Sequence, residues 1–465
     1  MDQRQHPRRG GGQPRAHRAV RSADQVVVAP KAEGGLSPVR VELPYGSRRL
    51  PLEIPEGISA EVLWPRFVEV PADEEALLRE ALDHPIDAPP LEKLVHGGQR
   101  VALLADDISR ATPIPRILPH VIDRLHRTGV RDGDIQIILA LGSHRPMTEA
   151  EQRSKVGEAL WGRIAVVNSE FRDRSKMVRL PGLPEGPDIW IDRRIVEADL
   201  RIGVGGILPH PAAGWSGGAK IVLPGVAGEE TVAAFPLLHG RTPWNMFGAV
   251  DNPVRQAMES WVTARVGLEY IVNVVFTPEG RLYRAVAGHC IEAHRRGVTL
   301  AREVLCVRFG HRADIVMATS YPADSDLWQA GKGLLAADLA AREGGTAILV
   351  APCYEGAGPH PRYLEYMAAG SADALLQQAD RLPPAEQLPL AVAAATLRLQ
   401  ERLRIAVVSD GLTPDQILQA GMTPFPTPQD AMDDALRRYG PGARVVVIPH
   451  GAEVIPTASS SHPIA

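Results

Sequence analysis

The sequence predicts an α/β protein of two α/β domains with mostly parallel sheets and an active-site cleft between them. Three observations carry this. Short apolar runs alternate with stretches of helical periodicity along most of the chain. The chain of 465 residues exceeds what one core holds, since domains run to ~100–200 residues. The alternation stops near residues 300–312 and then begins again.

Taken in order, residues 37–56 carry two apolar alternations around Gly46 and Ser47, the pattern of a β-hairpin. VALLAD (101–106), IQIILALGS (135–143) and IAVVNS (164–169) are buried strands. The segments between them have helical spacing, with Ile117, Val121 and Leu125 on one face. Strand–helix–strand repetition implies right-handed crossovers and a parallel sheet. Residues 201–228 are so dense in glycine that a tightly turned loop is expected, its backbone close to a ligand. A helix (252–267), a hairpin (270–288) and a further helix through Ala301 follow. The second series places strands at 313–319, 347–353, 405–410 and 444–449, with a helix over 325–344 and a loop at 383–389. The expected domains are therefore 37–305 and 306–465, the last residues being free to pack back on the first.

Composition excludes several classes. A formal net charge of -4 gives no basic excess for nucleic acid or an anionic membrane. Cys290, Cys306 and Cys353 are scattered without a CxxC pair, which argues against a disulfide framework or a cysteine-ligated zinc. No apolar run reaches the ~18 residues of a membrane span. Residues 1–36 are rich in Arg and Gly. The Arg8–Arg9 pair lacks the apolar stretch of a twin-arginine signal, so a disordered tail on a cytoplasmic protein is expected.

Ligands of parallel sheets bind beyond the carboxyl ends of strands, and two motifs lie there: DDISRATP after the first strand and GSHRP after the second. His144 suits acid/base work near neutral pH, or equally caps the following turn. Asp107, Ser109 and Arg110 form a trio able to bind phosphate, or to cap the next helix. His210 stands between prolines beside the glycine-rich segment. Lys220 ends GWSGGAK. Ile221 stands where a Walker loop needs a hydroxyl, and GVGGI does not fit the dinucleotide fingerprint. What remains is a lysine on a glycine-rich turn, which becomes a nucleophile or covalent anchor when its pKa falls. Trp328 and Lys332 are one turn apart on a predicted helix with Gln329 adjoining. Together they can grip a carboxylate, or they form a solvated helix face.

VELPYG, DDISRATP, ALGSHRP, GGILPHPAAGWSGGAKIVLPGVAG and SDLWQAGK, in this order and spacing, resemble the lactate racemase family, whose members use a nickel-pincer nucleotide. The resemblance covers the chain from about Val39 to Pro456. It implies racemisation or epimerisation of a 2-hydroxy acid by proton-coupled hydride transfer to a lysine-tethered nickel-pincer nucleotide. It also implies roles for single residues. Lys220 corresponds to the tethering lysine, with Gly217 and Gly218 on the same loop and Asp107, Ser109 and Arg110 near the cofactor. His144 and His210 correspond to the acid/base pair, His210 also lying close to the metal. Trp328, Gln329 and Lys332 correspond to substrate-contacting positions. The implied partners are a small 2-hydroxy acid and the enzymes that make the cofactor.

One segment departs from the pattern. Where the family reads GxxTIxxNH, with the His ligating nickel, this chain reads GEETVAAFPLLHG, so Phe235 and Pro236 occupy the Asn and His positions. His239 lies three residues on, about one turn if the stretch is helical. Either His239 supplies the ligand from a shifted position, or the chain binds the cofactor or a related nucleotide without racemising. A cofactor-free reading, with Lys220 as a Schiff-base nucleophile and His144 as base, stands as a further alternative.

Overall fold

A computed structural model describes residues 37–183 and 187–459; the tail expected at 1–36 lies outside the described residues. β1 (Val39–Tyr45) and β2 (Arg48–Ile54) form the expected hairpin, with Tyr45 opposite Arg48. β3 (Ser59–Val62), β4 (Val101–Asp106), β5 (Ile135–Ala140) and β6 (Ala165–Asn168) follow. A small antiparallel pair, β7 (Met177–Leu180) and β8 (Ile189–Asp192), precedes β9 (Leu200–Gly206). The two-residue strands β10 (Pro209–His210) and β11 (Gly214–Trp215) pair with each other. β12 (Tyr270–Phe276) and β13 (Leu282–Gly288) form the second expected hairpin. The remaining strands are β14 (Cys306–Phe309), β15 (Ala313–Thr319), β16 (Ala341–Val350), β17 (Arg404–Val408), β18 (Thr423–Phe425), β19 (Arg444–Ile448) and β20 (Ile455–Ala458).

Two six-stranded sheets organise the chain. The first runs β13-β12-β9-β4-β5-β6 and is parallel except for the edge hairpin. The second runs β18-β17-β16-β15-β19-β3 and is parallel throughout. Buried on both faces, these strands read as apolar runs rather than alternations. The helix Ile114–Arg127 shows how they are covered: it buries Ile114, Ile117, Leu118, Val121, Ile122 and Leu125, one stripe at helical spacing, in the core that holds Leu103 and Ile137. In the first sheet the chain leaves β4 toward β5 on one side and later returns to β9 on the other. The carboxyl ends of β4 and β9 therefore diverge at a topological switch point, the place where such sheets open a crevice.

Three expectations are corrected. Residues 39–62, expected to open the first domain, belong in space to the second sheet: β3 pairs with β19, and Leu43, Tyr45, Leu52 and Ile54 share a core with Ile315 and Val350. Residues 201–206, expected within a loop, form the central strand β9. Their glycines reflect crowding rather than turning: a Cβ on Gly203 would meet Ile221 at 2.7 Å, and one on Gly206 would meet Phe276 at 2.7 Å. The stretch 383–389 is not a loop but the start of the helix Pro384–Gln400, whose first position suits Pro384 because that N–H needs no helical partner. Among the described residues no helix is long and apolar enough to cross a membrane.

Candidate active site

The switch point is filled from the backbone upward. β4 ends in Asp106, which accepts hydrogen bonds from Thr112 Oγ1 at 2.5 Å and from the Gly206 N–H at 3.2 Å, and pairs with Lys155 at 2.8 Å. Asp106 thus ties β4 to β9, while Lys155 also donates to the Arg110 carbonyl at 2.9 Å. The loop bearing Asp107, Ser109 and Arg110 is fixed at both ends.

Asp107 is buried. Its Oδ2 lies 2.5 Å from His144 Nδ1, and its Oδ1 accepts from Ser109 Oγ at 2.5 Å and from the Ser109 N–H at 3.1 Å. Burial alone would raise this carboxyl, but His144, Arg110 and Ser109 outweigh it and hold the group well below the usual carboxylate range. An ionised Asp107 makes His144 Nδ1 a donor and leaves Nε2 as the basic nitrogen. The His144 side chain, 31% exposed, reaches the cavity from the carboxyl end of β5.

His210 is oriented in the opposite sense. Its Nδ1 accepts from the backbone N–H groups of Ala212 at 3.2 Å and Ala213 at 3.1 Å. Burial, and then the positive charges of Lys220 and Arg110, push its pKa well below the ordinary histidine value. The ring is therefore neutral, with its proton on Nε2. The β10–β11 turn that sets this geometry needs Gly214 at φ +71, where any Cβ would lie 1.7 Å from the Ala249 carbonyl.

Lys220 sits on a single turn, Gly218–Ile221, after the glycine pair. Buried residues hold that turn from behind. The Arg255 guanidinium donates to the carbonyls of Ala213 at 3.3 Å, Gly217 at 3.1 Å and Trp215. Asn273 Oδ1 accepts from the Gly218 N–H at 2.9 Å, and His294 Nε2 donates to the Ser216 carbonyl at 2.9 Å. Arg255, Asn273 and His294 were not singled out by sequence. Asn273 had a visible signal, as the one polar residue inside YIVNVVF. Trp215 is core, its Nε1 donating to the Gly248 carbonyl at 2.8 Å.

Lys220 Nζ forms no hydrogen bond or ion pair among the described residues. Burial, then Arg110 and Arg255, lower its pKa to about 7. Lys332 is lowered to about 7 as well, by burial and then Arg110, and donates to Gln329 Oε1 at 2.9 Å. Gln329 and Lys332 occupy the opening turns of the helix Leu327–Ala340, capped by Asp326. Trp328 stacks on His360 with ring centres 4.5 Å apart.

One cavity of about 220 Å³ brings nearly all of these together: Asp107, Arg110, His144, His210, Gly217, Lys220, His239, Trp328, Gln329 and Lys332 line it. Ser109 reaches it only through Asp107 and His144, to which its Oγ lies 3.3 Å. Gly218 lies behind the lining, packed on His294. The segment with the departure is the helix Glu229–Arg241, with Pro236 inside it. His239 is buried on that helix, its pKa lowered by burial to about 4, and its ring has no hydrogen-bond partner among the described residues. Among the described residues no group of three His, Cys, Asp or Glu side chains could hold a metal by itself.

Comparisons with known proteins place the chain in a family. Residues 45–241 match the lactate racemase N-terminal domain and residues 310–456 the lactate racemase C-terminal domain. The chain belongs to the lactate racemase family. It is 32% identical over 428 residues to the lactate racemase of Lactiplantibacillus plantarum, covering 90% of this chain and 99% of that one. To the lactate racemase of Thermoanaerobacterium thermosaccharolyticum it is 28% identical over 422 residues, covering 89% and 98%. The solved apoprotein of that lactate racemase superposes with a TM-score of 0.80 at 27% identity, covering 90% of this chain and all (100%) of that one. A crystal structure of a Thermotoga maritima protein shares the fold, with a TM-score of 0.62 at 17% identity and 85% of this chain covered. As a lactate racemase family member the chain is an isomerase of α/β class with two mostly parallel sheets, as its sequence leads one to expect.

Proposed function

We propose that this chain racemises or epimerises a 2-hydroxy acid, with His144 and His210 as the acid/base pair and Lys220 as the anchor of a nickel-pincer nucleotide. The observation that carries the reading is the pair of histidines in one cavity with opposite tautomers, one offering a bare Nε2 and the other an Nε2–H. Inverting a carbinol centre needs a base on one side of the substrate and an acid on the other.

The residues present fit the cofactor. Lys220 carries a buried, unpartnered amine with a pKa near 7, the state in which lysine forms a covalent bond. Asp107, Ser109, Arg110 and the Gly217–Gly218 turn are the groups that would hold the rest of it. The metal of such a group would need a side-chain donor from the protein. His239, neutral and without a partner, suits that role better than His210, whose Nδ1 is taken by two backbone N–H groups and whose Nε2 is needed for the proton. When bound, the group supplies the hydride acceptor that the protein lacks.

The chain's own side chains do the remainder. Lys332 attracts the substrate carboxylate, and Gln329 orients Lys332. His144 Nε2 takes the hydroxyl proton while Asp107 stabilises the resulting imidazolium. His210, neutral, keeps its Nε2 proton and donates it as a hydrogen bond that polarises the forming carbonyl, and the His144 imidazolium returns its proton to that oxygen when the carbinol re-forms. A cytoplasmic enzyme supplied by cofactor-synthesising enzymes is the setting this reading implies. The test is direct. Protein made with the cofactor pathway and given one enantiomer of a 2-hydroxy acid is expected to deliver the other with no added oxidant, and His144→Ala or His210→Ala to stop it. An unchanged enantiomer for every acid tried would contradict the reading.

A further inference from the structure

The cavity has two ends of different chemistry. The charged lining residues gather at one: Asp106, Asp107, Arg110 and Lys220 on the edge of the first sheet, with Lys332 facing them. The other end is walled by Phe235, Leu335, Leu388, Val392, Ala395 and Leu399. Residues 388, 392, 395 and 399 repeat at helical spacing, so one whole face of the helix Pro384–Gln400 is turned to the cavity. The helices Glu229–Arg241 and Pro384–Gln400 contribute no Lys, Arg, Asp or Glu to the lining. The hydroxyls at that end are already engaged: Tyr363 and Thr396 bond each other at 3.5 Å, and Thr396 donates to the Val392 carbonyl at 3.1 Å.

From this division we infer that the substrate is a 2-hydroxy acid whose C2 substituent is a bulky hydrocarbon, branched aliphatic or aromatic, seated between the helices Glu229–Arg241 and Pro384–Gln400. The inference rests on the reading of a 2-hydroxy acid substrate. With the carboxylate at Lys332 and the hydroxyl between the histidines, the third group on C2 must leave the charged end. Leu335 lies one turn beyond Lys332 on the same helix, so the apolar wall begins about 5 Å from the carboxylate anchor. A second carboxylate in that position meets no lysine or arginine from either helix, and a polyol chain has too few partners for its hydroxyls. A hydrocarbon needs neither, and each buried methylene is worth about fourfold in affinity.

The test is calorimetric titration of the full chain, with and without the cofactor, using 2-hydroxy-4-methylpentanoate, 3-phenyllactate, lactate and malate. The first two are expected to bind at least about tenfold more tightly than lactate or malate. Ala395→Phe, which fills the apolar end, is expected to lower that ratio several-fold. Leu388→Lys, which places a cation there, is expected to shift it toward malate. Lactate or malate binding as tightly as the bulky acids overturns the inference, as does a ratio unmoved in both variants. If the preference holds while the loaded protein turns over no acid, the inference stands and the proposed reaction fails. If no acid binds at all, both fail.

Discussion

His144 and His210 line one cavity with their ring nitrogens used in opposite ways: Nδ1 of His144 donates a hydrogen bond to Asp107, whereas Nδ1 of His210 accepts from two backbone N–H groups. Their Nε2 atoms are therefore a proton acceptor and a hydrogen-bond donor before substrate arrives. The tautomer of His144 depends on a carboxylate, and that of His210 on a turn made possible by Gly214. Asp107→Asn can offer either an amide oxygen or an N–H to His144 and cannot stabilise an imidazolium. It is expected to lower racemisation by ~10²–10⁴-fold, the scale seen when a histidine loses its orienting aspartate, with little change in thermal midpoint. Turnover within a few-fold of the parent would contradict the role given to Asp107.

Lys220 leaves a signature in stability. Burial, then Arg110 and Arg255, lower its pKa to about 7, against ~10.4 in an unfolded chain. Between those values the unfolded chain holds the proton and the folded chain does not, so stability rises with pH across that window. Below about pH 7 both states are protonated and the penalty of the buried cation is fully present. Lys220→Met is thus expected to be more stable than the parent at neutral pH, the gain shrinking as pH climbs toward 10. Denaturant unfolding across that range checks the sign; a variant less stable at neutral pH would contradict the account. Lys332, also lowered to about 7, carries the same sign.

Arg255 braces the lysine loop by donating to the carbonyls of Ala213, Trp215 and Gly217 from a fully buried position. Arg255→Met strips those carbonyls of their donor in a dry environment. The expected loss is about 3–5 kcal/mol, the range for breaking a buried charged network, and modification of Lys220 is expected to fall with it. Urea unfolding measures the first and peptide mass the second. A loss below about 1 kcal/mol would show that water or neighbouring residues replace the guanidinium.

His239 separates the tether from the metal. His239→Ala is expected to keep the cofactor mass on Lys220 while nickel per chain falls several-fold. Metal analysis beside intact mass reads both. Full nickel in that variant would leave the helix Glu229–Arg241 without a metal role.

Much of the fold was legible because the parallel strands, buried on both faces, appear as plain apolar runs, VALLAD being typical. Glycine in β9 misled the reading, since crowding by Ile221 and Phe276 and a sharp turn both call for glycine and only neighbours in space tell them apart. The place of β3 was hidden for a similar reason: a four-residue strand declares no partner, and β19 is nearly 400 residues away in sequence. The side chains that meet the cavity lay in recognisable motifs. Those that hold the motifs in place, Arg255 and His294 above all, sit on ordinary helices and become visible only when the chain has closed around them. Pro236 read from sequence as a loss; the structure adds that His239 lines the same cavity on the same helix.

The central proposal is that Lys220 tethers a nickel-bearing cofactor in the cavity that the two histidines line. Intact mass and metal content of protein made together with the cofactor pathway test it most directly. The expected result is one added cofactor mass located on Lys220, with about one nickel per chain. An unmodified Lys220 and a nickel-free chain under those conditions would contradict it.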